Sequence, residues 1–237
     1  MNALRDFAEI AARRILVVAP HPDDESLGCG GLIWTLAARG AKFFTAFVTD
    51  GGASHLHSKT WPRERLAAAR EAEGAEALRR LRIGDAPRAF LRLPDAGMPV
   101  PGSESHATAL AEAGAIVGGF QPDLVLLPWR RDPHRDHRDS WRLFTDALAA
   151  KDVRPATLEY AIWLDEIGER QDHPRPDEME RLDFAVSEAL APKRDAVRAH
   201  VTQVSDLIAD DPTAFRLTEA TIDRLAGPVE TYWRPSS

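Results

Sequence analysis

Short apolar runs recur along the chain with helix-length stretches between them, and that alternation constrains the fold more than any other feature. The runs are Ile15-Leu16-Val17-Val18-Ala19, FFTAFVT at 43–49, AFLRL at 89–93, DLVLLP at 123–128 and LEYAIWL at 158–164. Each has the length and apolar character of a buried strand. Between them the spacing predicts helices over 28–39, closed by Gly40, over 62–81 with Pro62 near the first turn, over 104–118 and over 139–150. Such alternation predicts an α/β fold, a mostly parallel sheet with helices on both faces. A short helix over 4–14, a strand over 180–188 and a helix over 191–209 opening near Pro192 complete the reading. No repeat or low-complexity linker divides the 237 residues, so a single domain is expected.

The polar segment after the first run points to the chemistry. In parallel sheets functional groups gather beyond the carboxyl ends of the strands. A dinucleotide-binding fold would carry GxGxxG at this junction. Here it carries Pro20-His21-Pro22-Asp23-Asp24-Glu25 instead. His21 and Asp24, three apart on a tight turn, can aim at one point. Imidazole with carboxylate suits Zn²⁺ and also Fe²⁺, Co²⁺ or Mn²⁺. A catalytic zinc centre needs three protein ligands and an open position. The cluster His134-Arg135-Asp136-His137, after the 123–128 run, can supply the third ligand and leave a histidine over. Asp23, beside the metal but not on it, can take a proton from water. The plainer reading is that Asp23, Asp24 or Glu25 caps the next helix. A second cluster after another buried strand favours the metal.

Composition narrows the partners. A formal charge of -7 argues against a general nucleic-acid binder, although Arg130, Arg131, Arg135 and Arg138 lie close together. One cysteine, Cys29, excludes an internal disulfide framework and a cysteine-rich zinc site. No apolar run approaches the ~20 residues of a membrane span, and the charged N-terminus does not read as a signal peptide. A soluble, cytoplasmic protein is expected, with the oligomeric state left open.

Taken together, Ala19-Pro20-His21-Pro22-Asp23-Asp24-Glu25 and His134-Arg135-Asp136-His137 resemble the (A/P)HPDDE and HxDH elements of the LmbE/PIG-L-like zinc-dependent N-deacetylases. Thr49-Asp50-Gly51, Arg70-Glu71-Ala72-Glu73 and Leu93-Pro94-Asp95 resemble that family's intervening segments. The likeness covers about 14–165, with 166–237 as an extension of the same domain. His200-Val201-Thr202-Gln203 and Glu230-Thr231-Tyr232-Trp233 are similar to the ends of some members.

The resemblance implies a Rossmann-like fold and zinc-dependent removal of an acetyl group from an N-acetylglucosamine-type compound, a small N-acetylated amino sugar. It implies His21, Asp24 and His137 as metal ligands, and Asp23 as general base. His134, protonated, would stabilise the tetrahedral intermediate or act as acid, with Asp136 orienting it. Arg70 and Asp95 would contact substrate. No tyrosine stands near the second cluster, where some members use one on the oxyanion; Trp129 and Asp132 occupy that neighbourhood. The alternatives are a metallohydrolase of another small N-acyl or ester substrate, and a catalytically silent, metal-bearing binding module.

Several residues invite bland readings. Glu25 is expected to hold the turn through backbone N–H groups, and Cys29 to pack as a small hydrophobe. His55 and His57 read as a solvated loop over the crevice, and the loops at 51–61 and 95–103 should flank it. Trp61 and Trp129 are expected in packing roles.

Overall fold

The computed structural model describes residues 4–236. The apolar runs become β1 (Arg14–Ala19), β2 (Lys42–Thr49), β3 (Arg88–Leu93), β4 (Leu124–Pro128) and β5 (Ala156–Tyr160), all parallel to one another. Two antiparallel strands, β6 (Met179–Ala185) and β7 (Val229–Pro235), extend the same sheet to the order β3-β2-β1-β4-β5-β7-β6. The expected mostly parallel α/β architecture is therefore present. The stretch after 166 builds one edge of that sheet.

Side chains alternate across a strand, and β1 shows what this does. Ile15, Val17 and Ala19 face a core built with α1 (Asp24–Ala38) and α2 (Arg63–Arg80). Leu16 and Val18 face a second core built with α3 (Glu104–Phe120) and α4 (Arg135–Ala150). With both faces covered, β1 is continuously apolar and its chain exit is held rigidly.

Three expected elements come out differently. Residues 4–14 form only a 3-10 turn at Phe7–Glu9. A helix this short is marginal alone, and the sheet competes for it: Arg5 N donates to Asp183 O at 2.8 Å, Ala185 N donates to Arg5 O at 2.9 Å, and Phe7 stacks on Phe184 at 4.9 Å. The 158–164 strand stops at Tyr160, and the chain turns into α5 (Leu164–Ile167). The 191–209 helix breaks into α6 (Leu190–Val197) and α7 (Val201–Val204), because His200 turns inward to a buried carboxylate, Glu25. Strand β7 and α8 (Glu219–Leu225) have no counterpart in the sequence reading.

A buried ion pair ties the antiparallel edge to α1. Glu230 accepts from Lys193 Nζ at 2.6 Å, from Gly31 N at 2.6 Å, from Leu32 N at 3.0 Å and from the Tyr232 hydroxyl at 2.8 Å. Lys193→Ala strands this carboxylate in the core and is expected to cost about 3–5 kcal/mol. Urea midpoints measure this, and an unshifted midpoint would mean that the two N–H groups and the hydroxyl suffice. Cys29 lies in this core, and burial pushes its thiol pKa well up. It packs, as expected.

Candidate metal centre and active site

The chain leaves β1 towards β2, while β1's other neighbour is β4. This reversal opens a crevice at the carboxyl ends of β1 and β4. Both polar clusters leave those two ends. The helices begin earlier than the sequence pattern suggests: Asp24 and Glu25 lie in the first turn of α1, and Asp136 and His137 in the first turn of α4. Free N–H groups there favour carboxylates. Gly28 is required one turn further on, because a Cβ there would sit 2.2 Å from the Tyr160 ring. The Tyr160 hydroxyl donates to Val18 O at 2.7 Å and stays buried.

Asp23 takes a backbone conformation rare for a non-glycine residue, φ 149° and ψ -27°. Such strain costs of order 1–3 kcal/mol and persists only where the surroundings impose it. Here Asp23 N donates to Glu25 Oε2 at 3.0 Å, while Ser26 N and Leu27 N donate to Asp23 O. Glu25 is held in turn by the Ser26 hydroxyl at 2.6 Å and by His200 Nε2 at 3.1 Å. Glu25 thus holds the turn through a backbone N–H. Arg70 Nη2 grips Asp23 Oδ2 at 3.0 Å and Pro22 O at 2.9 Å, and Nη1 reaches Gly51 O at 2.9 Å. Arg70 borders the cavity with Nη1 and Nη2 held by these oxygens, while its Nε makes no hydrogen bond.

One carboxylate oxygen joins the two candidate imidazoles. Asp24 Oδ2 lies 3.3 Å from His21 Nδ1 and 3.3 Å from His137 Nε2. The ring nitrogens that face away are backed by carboxylates. His21 Nε2 has Asp95 Oδ1 at 3.2 Å and Asp136 Oδ2 at 3.3 Å, and His137 Nδ1 has Asp132 Oδ2 at 3.7 Å. Such outer partners orient metal-binding imidazoles. His137 is fully buried, yet neither of its nitrogens makes a hydrogen bond. Buried polar atoms are rarely left so. An orphaned imidazole nitrogen facing a carboxylate, with more carboxylates than cations around it, fits a divalent cation. Among the described residues two groups have ligand atoms within 4.8 Å of one another, His21–His134–His137 and His21–Asp95–Asp136, and both share His21.

Charge is distributed unevenly here. Burial raises Asp23 to about 7, the Arg70 guanidinium only partly offsetting it. Burial also acts on Asp24, but the His137 charge and the His21 hydrogen bond outweigh it and hold that carboxyl down at about 2. Burial, then His137 and His21, lower His134 to about 4. The hydrogen bonds place Asp136 differently from the expectation. Asp136 does not use its carboxylate on His134: Oδ2 goes to His21 and accepts from Ala96 N at 2.8 Å. Its backbone N–H instead donates to His134 Nδ1 at 3.2 Å, so His134 caps α4. An accepting Nδ1 places the proton of a neutral ring on Nε2.

A cavity of about 390 Å³ opens over this centre, lined at its polar end by His21, Asp23, Asp24, Asp95 and His134. Asp95 reaches it while Oδ2 accepts from Ala53 N at 2.8 Å. The loop at 51–61 flanks the cavity through Ala53 and Ser54, and the loop at 95–103 through Asp95 and Ala96. His55 is buried, not solvated, with Nδ1 3.0 Å from Ser54 Oγ. Trp129 is buried and donates to Asp172 O, and Trp61 packs under Arg65. The arginines near the second cluster form no free basic patch. Arg130 pairs with Glu159, Arg131 with Glu178, Arg135 with Asp139, and Arg138 bonds Asp132 O and Pro133 O.

Asp132 escaped the sequence reading as an orienting group. It accepts from His134 N at 2.9 Å, Ile162 N at 3.1 Å and Trp163 N at 3.2 Å while it backs His137. The available signal was an acid five residues before a candidate ligand on the same turn. His200 was visible only as part of HVTQ, with nothing to connect it to Glu25.

Residues 16–148 match the family model PIG-L, GlcNAc-PI de-N-acetylase. The chain is 30% identical over 233 residues to the 1D-myo-inositol 2-acetamido-2-deoxy-α-D-glucopyranoside deacetylase of Actinosynnema mirum, covering 82% of each chain. In structure it is similar to the zinc-inhibited form of teicoplanin deacetylase Orf2, with a TM-score of 0.64, 21% identity and coverage of 94% and 99%. It is similar also to the 4-carboxy-2-hydroxymuconate hydratase GalB of Pseudomonas putida KT2440, with a TM-score of 0.69, 17% identity and coverage of 94% and 95%. A deacetylase and a hydratase on one fold show that the fold alone does not select the reaction. The family match rests on the motif-bearing half of the chain and on the relative's sequence, and by both this chain belongs to the PIG-L (LmbE-like) family.

Proposed function

We propose that this chain is a metal-dependent hydrolase that removes the acetyl group from an N-acetylated amino sugar, with zinc as the metal. The observation that carries the reading is the buried His21–Asp24–His137 set, with His137 unbonded at both nitrogens and Asp23 at its side. The name of the Actinosynnema relative supports the substrate class, and the zinc-inhibited form of Orf2 supports zinc binding in this fold. His21 Nδ1, Asp24 and His137 Nε2 would hold the ion. When bound there, it polarises a carbonyl and makes water more acidic.

The chain's own groups do the rest. Asp23 has one oxygen fixed by Arg70, which leaves Oδ1 to take a proton from the attacking water. A carboxyl raised to about 7 by burial is matched to that task and can pass the proton on to the leaving amine. His134, neutral and protonated at Nε2, donates to the carbonyl oxygen as it gains charge. Asp132 and Asp136 keep the two ligand imidazoles oriented. Asp95, at the cavity edge, is placed to accept from a sugar hydroxyl, whereas Arg70 acts through Asp23 and the turn.

Chelation should abolish acetate release from N-acetylglucosamine conjugates, and Zn²⁺, Co²⁺, Fe²⁺ or Mn²⁺ should restore it. Full turnover by protein shown to be metal-free would sink the proposal. His134→Ala is expected to keep its metal and lower kcat by about 10²–10³, the usual loss for one oxyanion donor. Wild-type turnover in that variant would reduce His134 to its capping role.

A further inference from the structure

Between α6 and α7 the chain turns at His200 and carries an imidazole into the core, where it is fully buried. Burying a polar ring costs free energy unless its atoms are bonded. Here one nitrogen is: Nε2 lies 3.1 Å from Glu25 Oε1, while Nδ1 has no partner. A leucine would fill the same place without an orphaned atom. What the imidazole adds is a donor at Nε2.

The carboxylate that receives it leads to the strained turn. Glu25 is wholly buried, and its two oxygens face different ways. Oε1 accepts from His200 and from the Ser26 hydroxyl, and Oε2 accepts from Asp23 N at 3.0 Å. That last bond fixes the amide of a residue at φ 149°, a conformation that persists only where its surroundings impose it.

The segment that bears His200 is itself clamped. The backbone N–H and hydroxyl of Thr202 donate to the Glu73 carboxylate on α2 at 2.8 and 2.7 Å. Gln203 Nε2 donates to Ser54 Oγ at 3.2 Å, on the loop after β2. The same helix α2 carries Arg70, which holds Asp23 Oδ2. Asp23 is therefore gripped twice, at its side chain by α2 and at its backbone, through Glu25, by a segment anchored on α2. Those two fixed points set where Oδ1 points.

Resting on the deacetylase reading, we infer that His200 is a positioning residue for that reaction: by donating to Glu25 it holds the Asp23 backbone in its strained form and keeps Oδ1 aimed at the attacking water. His200 is not among the residues that line the cavity, so its effect passes through Glu25.

The test compares His200→Gln with His200→Asn, both zinc-loaded. Each buries the same amide. The glutamine amide can stand where Nε2 stands, whereas asparagine, one methylene shorter, falls short of Glu25. Acetate release from N-acetylglucosamine conjugates should fall in His200→Asn by about 10- to 100-fold in kcat, the scale of a misplaced reacting group. Its KM and zinc content should stay close to those of the wild type, and His200→Gln should recover most of the loss. Hydrogen–deuterium exchange over 20–31 reads the turn without the reaction. It should be faster than wild type in His200→Asn and near wild type in His200→Gln. Melting curves check that each variant is folded, and His200→Leu, apolar and of similar size, takes the place of an unfolded asparagine variant with the same expectation.

Wild-type kcat without the donor, or equal losses in both variants, would overturn the inference. So would unchanged exchange, or a loss that falls on zinc content or KM instead of kcat, because His200 would then be a structural part only. A wild type that bound zinc but released no acetate would end the deacetylase reading, and exchange would then decide by itself whether His200 holds the turn.

Discussion

His137→Ala should leave a folded protein without bound metal and without measurable acetate release. His137 is fully buried and reaches Asp24 Oδ2 at 3.3 Å with no hydrogen bond of its own. Its place in the structure is explained by what it would bind. A three-ligand site that loses one ligand keeps a carboxylate and an imidazole, too few to hold a catalytic ion against water. Metal analysis after gel filtration, with circular dichroism as the check on folding, reads the outcome directly. A variant that kept both stoichiometric metal and activity would move the third ligand elsewhere, and His134 would be the next candidate because it shares the 4.8 Å cluster.

Asp23→Asn is the second large effect. The amide oxygen can still accept from Arg70, so the turn and the metal set should survive. What disappears is the proton acceptor, and kcat should fall by about 10²–10⁴ with metal content near that of the wild type. Asp24→Asn should do the reverse, losing metal first, because that oxygen lies between two imidazole nitrogens. If Asp23→Asn lost the metal while Asp24→Asn kept it, the two aspartates would have exchanged roles. The environments argue against this. Burial holds Asp23 near neutrality, while histidine partners hold Asp24 ionised, so one is tuned to exchange a proton and the other to stay an anion.

The parallel sheet and the ligand candidates were legible in the sequence for local reasons. Apolar runs of strand length have few alternatives once both faces are covered, and His21, Asp23 and Asp24 are neighbours on one turn. Helix starts were less legible. His134 and Asp23 occupy capping positions, and nothing local in HRDH says that the first histidine accepts from the backbone while the third residue, Asp136, turns to another element.

Contacts between distant segments lay outside any sequence pattern. Asp136 and His21 are 115 residues apart, and His200 and Glu25 are 175 apart. The pairing of Arg5 with β6 overrode the helical spacing of 4–14 in the same way, by offering backbone hydrogen bonds that a lone short helix could not match. The sequence by itself determined the strand–helix order and which side chains could bind a metal. Only the tertiary structure decided which oxygen faces which nitrogen, because that depends on where loops from five parallel strands come to rest at one end of the sheet.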